Sequence, residues 1–299
     1  MSTPPGLDNL GNTCYMNSAI QALWSLPNNI WNDVNMKEDT IGEQWTLLSG
    51  YMNTKNLLRK FVEKYKHFAP PQQQDVQEFL IILIDEMIES SKIEMEKSSS
   101  KLERDVFWYK FFKKSYSPVV DKFYGQYQIL TRCTNCKYKN TTFEPFLSYN
   151  LDVSNKDKHL VGLDDSSKYS AHEEHVPDWE CESCKQKTIV RQQLICRFPQ
   201  YLMVTWKRFS EIGKNNHPMS FLSTWTPSSN ICVDDINPPK YKLTSVIYHI
   251  GGSIGTGHYI TCCCRNRKWW IFDDNSVNEI RELTTQDAYI MIYTRINPK

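Results

Sequence analysis

The period of the hydrophobic pattern changes along this chain, and that change restricts the fold more than any other feature. Through the first third, apolar residues return every three or four positions, the spacing of one helix face. Met16, Ala19, Ile20 and Leu23 follow the capping types Asn12 and Thr13, so a helix is predicted to open at or beside Cys14 and to stop by Pro27. Residues 53–67 place Leu57, Leu58, Phe61, Val62 and Tyr65 on one face. After Pro70-Pro71, Val76, Phe79, Leu80, Leu83, Ile84, Met87 and Ile88 form one wide apolar stripe. The last third is different. Residues 201–209, 241–249, 259–265, 268–272 and 288–295 are short runs rich in β-branched and aromatic side chains, with breaker-rich stretches at 210–230 and 251–257. Helices first and strands afterwards specify an α+β chain.

The middle third adds a second constraint. Strand-like runs over 123–151 flank Cys133 and Cys136, and a second Cys-x-x-Cys pair follows at Cys181 and Cys184. Four thiols in two such pairs have the ligand type and count of a closed tetrahedral zinc site. The 44 residues between the pairs exceed a short zinc-ribbon spacing. A polar stretch at 152–178 with few large apolar residues explains the excess and is expected to be mobile. The charged, serine-rich residues 96–105 are expected to form a loop. His172 and His175 lie close in sequence, but four thiolates already fill the shell. One structural Zn2+ is therefore expected, with no open position for water and no catalytic cofactor.

Composition narrows the class. The 299 residues suit one large domain or two small ones, and 40% apolar with 23% charged residues is ordinary for a globular chain. A net charge of +1 argues against nucleic acid as the main partner, and no apolar run approaches a membrane span. Residues 1–12 show no apolar signal region, so a reducing compartment, cytoplasmic or nuclear, is expected. In that setting the ten cysteines read as metal ligands, a nucleophile and buried packing residues rather than as disulfides. Adjacent Cys262, Cys263 and Cys264 fall in a strand-like run that sends them to alternate faces, and packing is the reading for them.

Cys14 is the candidate nucleophile. At a helix start the unpaired backbone N–H groups and the helix dipole favour the thiolate. Gly11 lets the backbone bend close to a substrate, and an asparagine side chain nearby can donate to a developing oxyanion. A thiol nucleophile needs an imidazole base, itself oriented by a third group. Spacing alone does not choose among seven histidines. His258 opens a strand beside the glycine-rich residues 251–257, a suitable place for a base, and His249 in the preceding strand is its rival. Asp75 falls in the first turn of a predicted helix, where a carboxylate complements the dipole.

The run Gly6-Leu7-Asp8-Asn9-Leu10-Gly11-Asn12-Thr13-Cys14-Tyr15-Met16-Asn17-Ser18, continuing into Ile20-Gln21-Ala22-Leu23, resembles the cysteine box of the ubiquitin-specific protease (ubiquitin carboxyl-terminal hydrolase) family, which are papain-like cysteine peptidases. Gln73-Gln74-Asp75-Val76-Gln77-Glu78-Phe79-Leu80 resembles the family's second box. Tyr248-His249-Ile250-Gly251-Gly252, Gly257-His258-Tyr259 and Trp270-Ile271-Phe272-Asp273-Asp274-Asn275-Ser276-Val277 resemble its histidine box. The likeness spans residues 6–295, with weak flanks at the second cysteine pair.

The resemblance implies a single catalytic domain with a helical thumb over 1–120, zinc-ribbon fingers over 121–200 and a β palm over 201–299. It implies Cys14 as nucleophile, with Asn9 and the Cys14 backbone N–H as the oxyanion hole. It makes His258 the base and Asp273 its orienter, with Asp274 as alternative orienter or as an auxiliary acceptor that shapes the oxyanion site. Asp75 would face an arginine in the tail of ubiquitin. Cys133, Cys136, Cys181 and Cys184 would hold zinc at the tip of the fingers. The expected activity is hydrolysis after the terminal glycine of ubiquitin through a thioester. The expected partners are ubiquitin and ubiquitinated proteins; the chain itself is expected to be a monomer, with an activating partner left open. A binding module without turnover, a nucleic-acid-binding zinc ribbon and a protease for another ubiquitin-like modifier are the rival readings.

Overall fold

Helices and strands segregate along the chain as the change of period requires. The computed structural model describes residues 3–27, 31, 34–51, 54–97, 99–154 and 156–296. Among the described residues six α-helices come first: α1 (Cys14–Leu23), α2 (Ile41–Tyr51), α3 (Thr54–Lys64), α4 (Val76–Ser90), α5 (Glu103–Phe112) and α6 (Pro118–Phe123). Then follow β1 (Gly125–Cys133), β2 (Lys139–Phe146), β3 (Ser148–Asp152), α7 (Leu163–Ser170), β4 (Glu174–His175), β5 (Ile189–Arg197), β6 (Tyr201–Lys207), β7 (Phe209–Ser210), β8 (Gly213–Lys214) and β9 (Thr224–Trp225). The chain closes with β10 (Lys240–Ser253), β11 (Thr256–Arg265), β12 (Lys268–Asp273), β13 (Ser276–Ile280) and β14 (Ala288–Ile296). The helix predicted over 53–67 begins at Thr54, since residue 53 lies outside the described residues, and gives way to a 3-10 turn at Lys66–Phe68. The loop predicted over 96–105, of which residue 98 is likewise outside, yields to α5 at Glu103. No helix among the described residues is long and apolar enough to cross a membrane.

The large sheet has the order β13-β12-β11-β10-β14-β6-β3, with β9 added on β10. Its neighbours run antiparallel except β3 and β6. A smaller antiparallel sheet, β2-β1-β5-β4, carries the cysteine pairs at one end. The middle third therefore divides: β1, β2, β4 and β5 form the small sheet, whereas β3 joins the large one.

Residues 152–178 differ from expectation. Apart from residue 155, outside the described set, they are built into the structure rather than loose. Leu160, Leu163 and Ala171 are buried in the same cluster as Trp206 and Trp225 of the large sheet. The Trp225 indole donates to Asp164 at 2.7 Å, and the Tyr149 hydroxyl meets Ser170 at 3.0 Å. A few well-placed apolar residues anchor a segment whose average composition is polar.

Helix α1 occupies the centre of the molecule. Every one of its residues is buried, polar ones included. Tyr15, Met16, Ala19, Ile20 and Leu23 pack with Phe68, Phe79, Leu80 and Leu83 from the helical side and with Ile247, Tyr259 and Ile290 from the sheet. Its polar side chains are hydrogen-bonded into their surroundings, as burial demands. Gln21 donates to Pro5 O at 3.0 Å and receives Arg265 at 2.5 Å, while Asn17 donates to Asp8 O at 3.1 Å. This wedge points the N-terminus of α1, and with it Cys14, at the start of β11.

Candidate active site

Cys14 is the first residue of α1, where the leading N–H groups have no intrahelical acceptor. Thr13 precedes it but makes no capping bond, because its hydroxyl accepts from Leu10 N at 2.8 Å. The turn before it is shaped by Gly11 at φ 104° and Asn12 at φ 55°. Asn9 braces that turn: its carbonyl oxygen accepts from Gly11 N at 3.0 Å and Thr13 N at 3.1 Å. Its amide then points the other way, to Asp274 at 2.8 Å.

The structure brings His258 to this thiol across 244 positions of sequence. The His258 Nε2 lies 2.6 Å from Asp273 Oδ1, which leaves Nδ1 for the Cys14 side. The hydrogen bond that the imidazolium donates to Cys14 is the largest influence raising the imidazole; burial opposes it, Asp273 adds to it, and the result is about 9. At neutral pH the ring is therefore the imidazolium. The next residue also turns to the sulfur, with the Tyr259 N–H donating at 3.4 Å. Other cysteines have no such surroundings: burial pushes Cys262 up to about 12, Cys263 to about 11 and Cys196 to about 12.

Asp273 and Asp274 separate by direction. Asp273 reaches the imidazole, whereas Asp274, at φ 51° in the β12–β13 turn, sends its carboxylate to Asn9 and, at 2.7 Å, to Asn17. Its backbone carbonyl also accepts from Leu7 N at 2.9 Å. His249, the rival base, is not at the thiol; its side chain is buried on the opposite face of the same hairpin, cross-strand from Tyr259. Asp75 caps α4, accepting from Gln77 N at 2.8 Å, and takes the Tyr289 hydroxyl at 3.0 Å from the sheet. Burial raises its carboxyl.

Sequence reasoning gave Gln73 and Asn17 no role, although both lie in quoted stretches. Gln73 spans the cleft: its amide nitrogen donates to Gly257 O at 3.0 Å and lies 3.8 Å from the Cys14 sulfur. Cys14 is only 1% exposed beneath it. A glutamine two residues before a helix cap gives no local signal of such a contact.

The four paired cysteines meet at the end of the small sheet. Their sulfurs lie within 4.8 Å of one another, with Cys133–Cys184 and Cys136–Cys181 both at 3.6 Å. None of the four is in a disulfide. Tetrahedral zinc–thiolate geometry sets sulfurs about 3.8 Å apart, so the donor set fits that ion. Two tight turns present them, closed by Cys133 N to Tyr138 O at 3.0 Å and Cys181 N to Gln186 O at 2.9 Å. The Thr188 hydroxyl, 3.1 Å away, is the main cause pulling the Cys133 thiol down to about 6. His172 and His175 are exposed and outside the cluster.

The family model described as ubiquitin carboxyl-terminal hydrolase matches residues 5–293. The chain belongs to the ubiquitin carboxyl-terminal hydrolase family. Among curated members, Usp2 of Drosophila melanogaster is 30% identical over 337 residues, covering 97% of this chain and 34% of that protein. Hydrolase 4 of Vanderwaltozyma polyspora is 28% identical, covering 97% of this chain and 41% of its own length. Human hydrolase 21 is 26% identical and is covered over 61% of its length. The chain thus spans between a third and three fifths of these relatives. A solved structure of the SAGA Ubp8/Sgf11/Sus1/Sgf73 DUB module bound to ubiquitin aldehyde contains a chain of the same fold, with TM-score 0.77 and 23% identity over 99% of this chain and 70% of that one. A ubiquitin carboxyl-terminal hydrolase of this fold is α+β, as the period change requires.

Proposed function

We propose that this chain is a deubiquitinating cysteine protease that hydrolyses the peptide or isopeptide bond after the terminal glycine of ubiquitin. The observation that carries the reading is the Cys14–His258–Asp273 arrangement: a thiol at a helix start, an imidazole whose next residue gives its N–H to that sulfur, and a carboxylate 2.6 Å behind the ring. Family membership supplies the substrate class, and a chain of the same fold has been solved with ubiquitin aldehyde bound.

In this reading the Cys14 thiolate attacks the carbonyl carbon of the terminal glycine. The Cys14 N–H and the second amide hydrogen of Asn9 receive the developing oxyanion, and Asp274 holds Asn9 in place. His258 gives its proton to the leaving lysine amine, releasing it and leaving the thioester. Water, deprotonated by the now neutral His258, then attacks the thioester, and the regenerated imidazolium stands again beside the thiolate. Asp273 keeps Nε2 engaged so that Nδ1 faces the sulfur. Asp75, which caps α4, would meet a basic residue of the ubiquitin tail with its carboxylate. Zinc held by Cys133, Cys136, Cys181 and Cys184 would supply a structural crosslink between β1 and the segment leading into β5.

Hydrolysis of ubiquitin bearing a C-terminal fluorogenic amide tests the reading. Release is expected from the wild-type chain and not from Cys14→Ala, which should still bind ubiquitin; turnover by Cys14→Ala would remove Cys14 as nucleophile.

A further inference from the structure

His249 has no role in the chemistry above, yet it is the most anomalous polar side chain near it. The residue is 1% exposed, and neither ring nitrogen has a hydrogen-bond partner among the described residues. A buried, unpaired imidazole costs stability, on the order of 1–3 kcal/mol for each unsatisfied group, so its presence asks for a compensating task.

Its contacts show what that task is. The ring stands edge-on to Tyr259, centroids 4.7 Å apart, and to Phe209 at 5.1 Å. It also lies directly against the backbone of two glycines. A methyl group added to Gly257 would stand 2.6 Å from His249 Nε2, and one added to Gly251 would stand 3.4 Å from Cε1. Both glycines sit at positive φ, 153° and 142°. Three consecutive residues thus rest on, or flank, this one ring. Gly257 offers its carbonyl to Gln73, His258 is the base, and Tyr259 gives its N–H to the Cys14 sulfur.

We propose that His249 is a positioning residue: its imidazole, buried and without a hydrogen-bond partner among the described residues, is the packed floor that sets the backbone of Gly257, His258 and Tyr259 against Cys14. The proposal rests on the reading of Cys14 and His258 as the reacting pair.

The charged groups around the ring favour its neutral form. Lys214 donates to the His249 carbonyl at 2.5 Å and to Asp287 at 2.5 Å, so the neighbouring acid is already matched by a buried ammonium. Asp287 also accepts the His249 N–H through its carbonyl at 3.0 Å. His258 beyond the strand is a second cation, and Tyr259 and Phe209 present rings. Burial first, and then Lys214, lower the imidazole to about 4. A second positive ring here would oppose the His258 imidazolium on which the thiolate depends.

The test is the pH profile of Cys14 alkylation by iodoacetamide, together with kcat and KM on ubiquitin C-terminal fluorogenic amide. In His249→Ala, the floor is lost and His258 no longer pairs closely with the sulfur. The alkylation inflection should move up by about one pH unit, and kcat should fall about tenfold at unchanged KM. A folded His249→Ala with the wild-type profile and kcat would overturn the proposal. If His249→Ala does not fold, Gly257→Ala puts a methyl 2.6 Å from the same ring, and equally from the Ile250 carbonyl, and should give the same shift; a wild-type profile there would overturn it equally. Imidazole NMR of the wild-type chain adds a check that needs no variant: His249 should stay neutral from pH 5.5 to 9, and titration within that range contradicts the proposal. Alkylation needs no ubiquitin, so failure of the substrate assignment and failure of this inference give different results.

Discussion

The Asn9 amide donates to the Asp274 carboxylate at 2.8 Å, joining the turn before the nucleophile to the turn after the strand that carries Asp273. Asp274 also holds Asn17 inside α1 at 2.7 Å. Two adjacent aspartates thus serve opposite ends of one site: one orients the base, the other fixes the side chain proposed to donate to the oxyanion. Their substitutions should be distinguishable.

Asp273→Ala removes one of the supports that raise His258. Because the folded value of about 9 lies above the ordinary 6.5, the stability this group brings is complete below pH 6.5 and fades as pH rises through 9. Without Asp273 the folded value falls, so the basic limb of kcat/KM moves to lower pH and kcat drops. Asp274→Ala should lower kcat less and leave that limb in place. A pH–rate series on both variants checks this, and a shift in the second rather than the first contradicts it.

Asn9→Ala should lower kcat about 100-fold or more with little change in KM, the pattern of a lost oxyanion donor. Since Asn9 also braces Gly11 and Thr13, thermal unfolding of the variant separates the two effects: a large loss of kcat with a nearly unchanged Tm marks the donor.

Gln73→Ala uncovers a sulfur that is now 1% exposed beneath the amide. Iodoacetamide should react with Cys14 severalfold faster in the variant at pH 7. An unchanged rate would mean that the bond from Gln73 to the Gly257 carbonyl does not screen the nucleophile.

Metal analysis should find about one zinc per chain, lost in Cys133→Ser with a lowered Tm, since binding at a site of distant ligands adds directly to folding. Wild-type chain without metal would end the assignment of this thiol cluster.

Much of the fold was legible because burial imposes a period. α1, α4 and the five long strands of the last third follow stripes or alternations that only one backbone satisfies, and their observed bounds differ from the predicted ones by a few residues. Helix α5 carries only a short stripe, Phe107, Trp108, Phe111 and Phe112, beside the charged residues expected to form a loop; Phe107 meets Phe143 of β2 and Phe112 meets Tyr124. Helix α7 is polar and short, and only its long-range contacts hold it. At the site, Cys14 and His258 stood out by local context joined to motif, whereas the Gln73 bridge and the unpaired ring of His249 exist only once distant strands and helices meet. Asp75 carried a local signal, the helix N-terminus, and the structure makes it a capping residue shared with Tyr289.

The most direct measurement of the central claim is reaction with a ubiquitin probe that carries an electrophile in place of its terminal carboxylate, followed by peptide mapping. One covalent adduct per chain at Cys14 is expected, absent in Cys14→Ala and strongly slowed in His258→Ala. Labelling at any other cysteine, or none at all while a different ubiquitin-like modifier's probe reacts, would contradict it.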